Sequence, residues 1–428
     1  MSYLRAFGNM TFASLRIRNY RLYFIGQAVS MSGTWMQTVA LGWFVLELTH
    51  SGTQLGIVTA LQFLPMLFLG PWGGVITDRL NKRALLIVTQ VVFGITAGIL
   101  SILIFTDLTQ LWMLYLFGLI FGVVRIFDNP ARQTFVSEMV PADNLKNAVS
   151  LNATINNLAR AVGPSIGGIL IATVGVAACF LFNALSYIAV IAVLCLMRKR
   201  DLHPSVPAGK KSGQLRAGLR YISTMPRIRN VLIIMGVIGT FAYEFQVSLP
   251  ILAEQTFAAG AGGYAALMTS FGAGAVVGGL YAASRTKISM RHFVVSLFFF
   301  GISILGTAAA PTLELAVAGM ALVGIFSINV TSLGNTMLQL EAKPAMRGRV
   351  MALWSVAMIG STPIGGPLVG FIGEHIGARW AIAIGGISAL VMVIFAVLVK
   401  QRAERLHKIP ETVQMEGHQT RLRIHKLE

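Results

Sequence analysis

Apolar runs of about 20 residues recur along nearly the whole chain and are separated by short polar turns. A run of this length crosses the hydrocarbon core of a bilayer as one α-helix. We therefore predict an all-α polytopic membrane protein with twelve transmembrane helices. The predicted spans are 22–48, 54–76, 84–105, 111–131, 147–171, 177–197, 231–254, 263–284, 293–311, 314–340, 349–373 and 379–399.

The positions of the basic residues predict how these spans are oriented. The chain has 34 Lys and Arg against 16 Asp and Glu, a formal charge of +18. Nearly all of the cations lie in segments on one side of the predicted spans, whereas Arg379 faces the other side and Arg125 and Arg160 lie within spans. The positive-inside rule then places both termini in the cytoplasm. It also explains the positive charge without nucleic acid as a partner.

A long polar segment divides the spans into two sets of six, and the sets resemble each other. Gly33 and Thr34 in the first set match Gly239 and Thr240 in the second, at an offset of roughly 205 residues that is typical of transporter repeats. We predict two pseudo-symmetric six-helix bundles. The predicted regions are a cytoplasmic N-terminus at 1–21, the first bundle at 22–197, a cytoplasmic linker at 198–230, the second bundle at 231–399 and a basic cytoplasmic tail at 400–428.

A charged turn joins the second and third spans. Its marked residues are Gly74, Asp78, Arg79, Lys82 and Arg83. A carboxylate at a helix end can form an ion pair with a cation of a neighbouring helix. Such a pair would break when the two halves of a transporter move apart, so this turn is a candidate gating latch. Asp128, near the end of the fourth span, is a candidate partner for Arg79 or Lys82. The alternative is a positively charged anchor with one incidental acid.

Two charged residues are predicted near the middle of the bilayer, where an unpaired charge is costly. They are Arg160 in the fifth span and Glu244 in the seventh. Asn152 and Asn156 share one helical face with Arg160, and we expect this face and that of Glu244 to line one aqueous cavity. Glu244, with Arg160 and Asp128, is then a candidate for proton coupling. The alternative is a structural Arg160–Glu244 pair.

Other polar and aromatic residues are candidates for lining a substrate cavity. With Asn152 and Asn156 included, the candidates are Gln27, Thr34, Trp35, Gln37, Asn152, Asn156, Tyr243 and Asn335. The alternative is that these groups only bond one helix to another. Both cysteines, Cys179 and Cys195, lie within spans, so we predict neither a disulfide framework nor a metal site. The sequence contains no phosphate-binding loop. We therefore expect the proton gradient to supply the energy for transport, and we expect no cofactor.

The fifth span contains a glycine-rich motif around a proline. It consists of Gly163, Pro164, Gly167 and Gly168. Small residues at this spacing give a flat face for close helix packing, and Pro164 removes one backbone hydrogen bond. We predict a bend of the helix at this motif.

These motifs resemble those of the major facilitator superfamily. The charged turn is similar to that superfamily's loop between helices 2 and 3, with Asn81 in place of the second glycine, a residue that tolerates the left-handed conformation. The motif at 163–168 resembles the G-P-x-x-G-G motif of exporters and proton antiporters. Further strings, at 14–24, 33–37, 130–133, 244–250 and 347–350, resemble the drug:proton antiporter branch that includes bacterial enterobactin exporters and macrolide-efflux proteins.

The resemblance implies a function that composition alone does not give. It implies a monomeric secondary transporter, not an enzyme, in the bacterial inner membrane. It also implies export of a small amphipathic molecule, drug-like or siderophore-like, by alternating access coupled to proton influx. The alternatives are a proton-coupled importer of a small nutrient and a polytopic membrane enzyme or lipid scramblase.

Overall fold

The computed structural model describes residues 12–203, 220–284, 289–358 and 360–407. Long α-helices dominate these residues. In chain order they are α1 (Arg18–Thr49), α2 (Gly52–Arg79), α3 (Lys82–Phe105), α4 (Leu111–Met139), α5 (Ala142–Thr173), α6 (Val176–Leu196), α7 (Pro226–Phe241), α8 (Phe245–Gln255), α9 (Gly260–Ser284), α10 (Met290–Ala309), α11 (Leu313–Glu341), α12 (Pro344–Met358), α13 (Thr362–His375) and α14 (Ala378–His407).

Ten helical segments of the described chain are long and apolar enough to cross a membrane. Two further helices, α1 and α5, have 32 residues each but a more polar composition. At about 1.5 Å per residue, each of these is long enough for a bilayer. They are more polar because they carry Gln, Asn, Ser and Thr side chains, among them the candidate cavity residues Gln27, Thr34, Gln37, Asn152 and Asn156. The fold is therefore all-α and polytopic, as predicted.

The helices pack as two halves with equivalent contacts. In the first half α2 packs on α4, α1 on α5 and α3 on α6. In the second half the corresponding pairs are α9 on α11, α7 on α12 and α10 on α14. Since each pair occupies the same place in the order of its half, the packing reproduces the repeat seen in the sequence.

Two of the predicted spans are divided in the structure, so the prediction of one continuous helix is wrong for each of them. The span at 231–254 is divided at residues 242–244, between α7 and α8, and α7 begins earlier than predicted, at Pro226. The span at 349–373 is divided between α12 and α13. Pro363 explains the second break, because a proline in the first turn of a helix lacks a backbone N–H and favours a helix start. No glycine or proline marks the first break.

The two halves meet at one end of the molecule, which we call the distal end because it lies opposite the linker. There α2 packs on α13 at glycines of both helices. A Cβ atom added to Gly56 would lie 2.3 Å from the carbonyl oxygen of Gly366, and one added to Gly370 would lie 2.1 Å from that of Gly52. Only glycine permits this backbone approach, so the α2–α13 contact depends on these positions.

A second contact between the halves joins α5 to α9. The Ser165 and Thr269 hydroxyl oxygens are 2.8 Å apart. Pro164 has no N–H, so the Arg160 carbonyl oxygen receives no hydrogen bond from it within α5. Gly272 packs at this oxygen, and a Cβ atom there would lie 2.7 Å from it. The helix-bend motif thus helps to join the halves, and α5 runs through Pro164 without a break.

The opposite end, which we call the linker end, has a different arrangement. A hydrophobic cluster that includes Tyr20, Phe135 and Leu194 belongs to the first half alone, whereas the main core extends through both halves. The helix that continues α13 toward this end, α12, packs chiefly on α7 and α11 of its own half. Exposed Asn156 lies on the face of α5 that carries Arg160. The halves are therefore closed at the distal end and separate toward the linker end.

One carboxylate joins the halves at the distal surface. Glu374 Oε2 on α13 accepts hydrogen bonds from the Ser51 hydroxyl at 2.7 Å and from the Thr53 backbone N–H at 2.9 Å. Ser51 is the N-cap residue of α2 and Thr53 lies in its first turn, where free N–H groups and the helix dipole favour an anion. Glu374 therefore acts as a helix cap supplied by the other half.

We expect Glu374→Gln to weaken the distal closure. Loss of a charge-assisted cap costs roughly 1 kcal/mol, which raises the population of distally open molecules about fivefold. Distances between spin labels at Leu108 and Ile376, which are exposed on opposite halves, measure this population. Glu314→Gln is the matched control, since Glu314 is an exposed acid in the first turn of α11. Equal distance distributions in the two variants would show that the cap does not hold the halves together.

Candidate functional site

Arg160 lies where the two halves meet and is partly exposed. Its guanidinium carbon is 4.9 Å from the centroid of the Trp35 ring on α1, a cation–π contact. Its Nε atom is buried without a hydrogen-bond partner. Tyr243 lies at the α7–α8 break, and its hydroxyl donates to the Ser327 carbonyl oxygen at 3.1 Å.

Glu244 lies at the start of α8 and is buried, with 3 % of its surface exposed. Its carboxylate faces the first turns of α13, where a Cβ atom on Gly365 would lie 3.0 Å from Oε1. That oxygen has no hydrogen-bond partner. The same Cβ atom would lie only 2.0 Å from the Thr240 carbonyl oxygen, so the close backbone approach of α7 and α13 also requires glycine at this position.

The structure does not bring Arg160 and Glu244 together as a pair. No ion pair joins them, although both side chains belong to the described part of the chain. The alternative of a structural Arg160–Glu244 pair is therefore wrong for this conformation. The physical reason is the break at 242–244, which turns Glu244 toward α13 while Arg160 stacks on Trp35.

Asp128 is the centre of a buried network near the linker end of the first half. Its Oδ2 atom is 2.5 Å from Nε of Arg132, one turn further along α4. Its Oδ1 atom accepts from Thr89 and Gln90 on α3, each at 2.8 Å. Arg132 also donates to Gln27 on α1. The expectation that Asp128 meets Arg79 or Lys82 is therefore wrong here, because a cation on its own helix is closer.

We expect Arg132→Ala to destabilise the protein strongly. Removal of one partner from a buried ion pair leaves an uncompensated charge and costs about 3–5 kcal/mol. Thermal unfolding of the purified protein should then begin several degrees lower. Arg200→Ala is the control, because Arg200 forms an exposed pair with Asp201 that contributes little. A similar unfolding temperature in both variants would contradict the structural role of the network.

The charged turn holds helices of the first half together. Lys82 Nζ is 3.1 Å from Glu138 Oε1 in a buried ion pair between α3 and α4. Arg83 donates to the carbonyl oxygens of Leu194 and Cys195 at the end of α6. Arg79 is exposed, whereas the surroundings of Gly74 and the side chain of Asp78 are outside the described part of the structure. A latch role for this turn stays a prediction.

Asn81 has a different role from the one expected. Its φ and ψ angles of −65° and 112° are extended rather than left-handed. Its side-chain oxygen accepts from the Ala84 N–H at 3.0 Å, so it caps the start of α3.

The candidate cavity residues differ in burial and in hydrogen bonding. Gln27 and Gln37 are buried and bond other helices, Gln37 by accepting from Asn183 on α6 at 2.6 Å, so the cavity role predicted for them is wrong in this conformation. The Thr34 hydroxyl donates within its own helix. The rest are at least partly exposed, namely Trp35, Asn152, Asn156, Tyr243 and Asn335.

The glycines of the helix-bend motif make close contacts on two sides. Gly163 packs on α1, where an added Cβ atom would lie 2.6 Å from the Ser32 carbonyl oxygen. Gly167 packs on Met36 of the same helix, and Gly168 packs on Ala265 of α9. The motif thus fixes α5 between α1 and the second half.

Sequence reasoning missed the partners of three candidate residues, Asp128, Lys82 and Gln37. Arg132 could have been found, since it stands four residues after Asp128, a spacing that brings two side chains together on a helix. Glu138 and Asn183 carry no comparable local signal, because their partners lie on other helices.

Comparisons with known proteins agree with this architecture. A sequence profile described as transmembrane secretion effector matches residues 9–424. The staphyloferrin A transporter of Staphylococcus aureus is 23% identical over 385 residues, which cover 89% of this chain and 96% of that protein. The enterobactin exporter EntS of Escherichia coli is 27% identical over 401 residues, covering 92% and 94%.

Solved transporter structures share the fold at low sequence identity. The nucleoside transporter NupG aligns with a TM-score of 0.71 and 14% identity, over 90% of this chain and 99% of that one. A bacterial homologue of the lysosomal transporter Spinster, in an inward-facing conformation, aligns with a TM-score of 0.66 and 12% identity, over 89% and 95%. The profile match, the relatives and the fold identify a transporter rather than an enzyme. The chain belongs to the transmembrane secretion effector family, within the major facilitator superfamily.

Proposed function

We propose that this protein exports a small amphipathic molecule, siderophore-like or drug-like, by alternating access driven by inward proton flow. It acts as a monomer in the bacterial inner membrane, with both termini and the linker in the cytoplasm. The observation that carries the proposal is the closure of the halves at the distal end with exposed polar groups toward the linker end. This is the arrangement in which an exporter would accept cargo from the cytoplasm.

The proton-coupling role falls to Glu244. It is a buried carboxyl group within the span Pro226–Gln255 and forms no ion pair with a described cation. It faces α13, which also forms the distal contact. A buried charge without a counter-ion is costly, so protonation is a direct way to neutralise it. Movement of α13 away from α2 would change the surroundings of Glu244. Proton binding and distal opening would then be linked through one helix.

The likeness to the staphyloferrin A transporter and the enterobactin exporter favours siderophores as cargo and export as the direction. A proton-coupled importer is the second candidate, since the fold serves both directions. Secretion by a deletion strain tests the proposal. Loss of secreted enterobactin or staphyloferrin A, or of resistance to a drug panel, with recovery on complementation, is the expected result. Reduced uptake with normal secretion would favour the importer.

A further inference from the structure

The C-terminus of α6 lies at the linker end, where the chain leaves the first half. The helix covers Val176–Leu196 and is long and apolar enough to cross a bilayer, so its end lies at a membrane surface. The last carbonyl groups of a helix have no partner within the helix and carry a partial negative charge. Groups that bind this end must therefore be hydrogen-bond donors, and cations suit it best.

Two arginines from different helices bind these carbonyl groups. Arg83, at the start of α3, donates from Nε to the Leu194 carbonyl oxygen at 2.7 Å and from Nη2 to that of Cys195 at 3.0 Å. Arg18, at the start of α1, donates from Nη1 to the Leu196 carbonyl oxygen at 3.2 Å. Both α1 and α3 pack on α6, so the two guanidinium groups reach one turn of α6 from two neighbouring helices.

A third arginine follows directly after this helix end. The backbone N–H of Arg198 donates to the Asn19 side-chain oxygen at 3.1 Å, and the Asn19 Nδ2 atom donates to the Arg198 carbonyl oxygen at 3.0 Å. Asn19 is buried next to Arg18 on α1, whereas the side chain of Arg198 is exposed. The backbone at Arg198 is therefore fixed beside the start of α1. We call Arg18, Arg83 and Arg198 the arginine cluster.

The arginine cluster has more positive charge than the helix end can neutralise. A helix C-terminus is equivalent to about half a negative charge, whereas the cluster has three guanidinium groups. None of the described ion pairs includes a member of the cluster. In addition, the Nη1 atom of Arg83 is buried and has no hydrogen-bond partner. The cluster therefore has surplus positive charge and an unused donor for an anion.

The surface beside the arginine cluster is apolar. Ile25 and Val29 follow Arg18 at spacings of seven and eleven residues, which places them on the same face of α1, and both are exposed. On α6, Ile188 and Leu196 are also exposed. A soluble anion would gain nothing from this apolar surface. An amphipathic ligand, with an anionic group and hydrocarbon chains, would bind both parts.

We propose that the arginine cluster binds the phosphodiester headgroup of an anionic phospholipid, whose acyl chains lie along the exposed faces of α1 and α6. Guanidinium groups match the oxygens of a phosphate, and basic pockets between helices at a membrane surface recognise such headgroups. The helix α6 packs chiefly on α1 and α3 of its own half. The lipid site is therefore separate from the candidate transport site, and it goes beyond the proposed function.

Lipid binding to the purified full-length protein tests this inference. Native mass spectrometry of the protein in a neutral detergent would count bound dioleoyl phosphatidylglycerol, with dioleoyl phosphatidylcholine as the zwitterionic lipid and glycerol phosphate as a headgroup without chains. The expected result is one site whose Kd for phosphatidylglycerol is about tenfold or more below that for phosphatidylcholine, because several cations act at one membrane surface. Equal affinity for the two lipids, or no bound lipid, would overturn the inference. Binding of glycerol phosphate as tight as that of the lipid would assign the cluster to a soluble phosphate instead.

Variants assign the lipid preference to the arginine cluster. Arg18→Gln and Arg83→Gln should each weaken phosphatidylglycerol binding about fivefold, and Lys at either position should restore part of it, because Lys keeps the charge but not the fork. Binding of phosphatidylcholine should not change, whereas a misfolded variant would bind both lipids differently. Arg198→Gln should have an effect in the same direction without risk to folding, since its exposed side chain has no described partner.

The matched control is Arg291→Gln. Arg291 is the second residue of α10, as Arg83 is of α3, and it is exposed. The helix on which α10 packs, α14, continues to His407, so no helix end lies beside Arg291. This variant should bind phosphatidylglycerol as the wild type does. Wild-type affinity in all three cluster variants, or an equal loss in Arg291→Gln, would contradict the proposed site.

Discussion

Glu244→Gln is expected to abolish proton-driven export while the protein still folds and inserts. Gln keeps the size of the side chain and fits against Gly365 and Gly366, but it cannot take up or release a proton. The variant should therefore behave as a permanently neutral carrier. Uphill accumulation of labelled cargo should disappear, and only exchange or downhill movement should remain.

The matched control for this variant is Glu254→Gln. Glu254 lies in the last turn of the same helix and is exposed, so its loss should leave transport near the wild-type rate. Both variants should be purified in equal yield with the same elution profile. Unchanged uphill transport by Glu244→Gln would remove the carrier role from this residue.

Gly56→Leu is expected to prevent the halves from closing at the distal end. Its Cβ atom would lie 2.3 Å from a backbone oxygen of α13, and a backbone cannot move aside as a side chain does. Overpacking of this kind costs roughly 1–3 kcal/mol. The population of distally closed molecules, and transport with it, should fall about tenfold or more.

Spin-label distances between Leu108 and Ile376 measure this effect, in a protein whose Cys179 and Cys195 are replaced by Ala. The distance should lengthen in Gly56→Leu. It should not change in Gly279→Leu, because a Cβ atom at Gly279 meets nothing within 4 Å. An unaltered distance together with normal transport in Gly56→Leu would show that the α2–α13 glycines are not required for closure.

Sequence analysis predicted the all-α polytopic fold because the signal for it is local. The length of an apolar span depends on composition over about 20 residues and needs no contact between distant residues. The break before α13 could also have been predicted from the sequence, because Pro363 marks it. The break at Glu244 was not, because no residue type at 242–244 is unusual in a helix interior.

The candidate site was harder to predict because a polar stripe shows only which face of a helix is polar. It does not show whether that face meets water or another helix. Gln37 faces Asn183 and is buried, whereas Asn156 is exposed, and the two look alike in sequence. Contacts between halves, such as Gly56 with Gly366, join residues about 300 positions apart, which only the folded chain brings together.

Accumulation of labelled enterobactin in everted membrane vesicles is the most direct test of proton-driven export. With an acidic lumen, vesicles that contain the wild-type protein should accumulate cargo inside, and a protonophore should collapse the accumulation. Vesicles with Glu244→Gln should not accumulate it. Depletion of preloaded cargo from the lumen, or accumulation that survives the protonophore, would contradict the account.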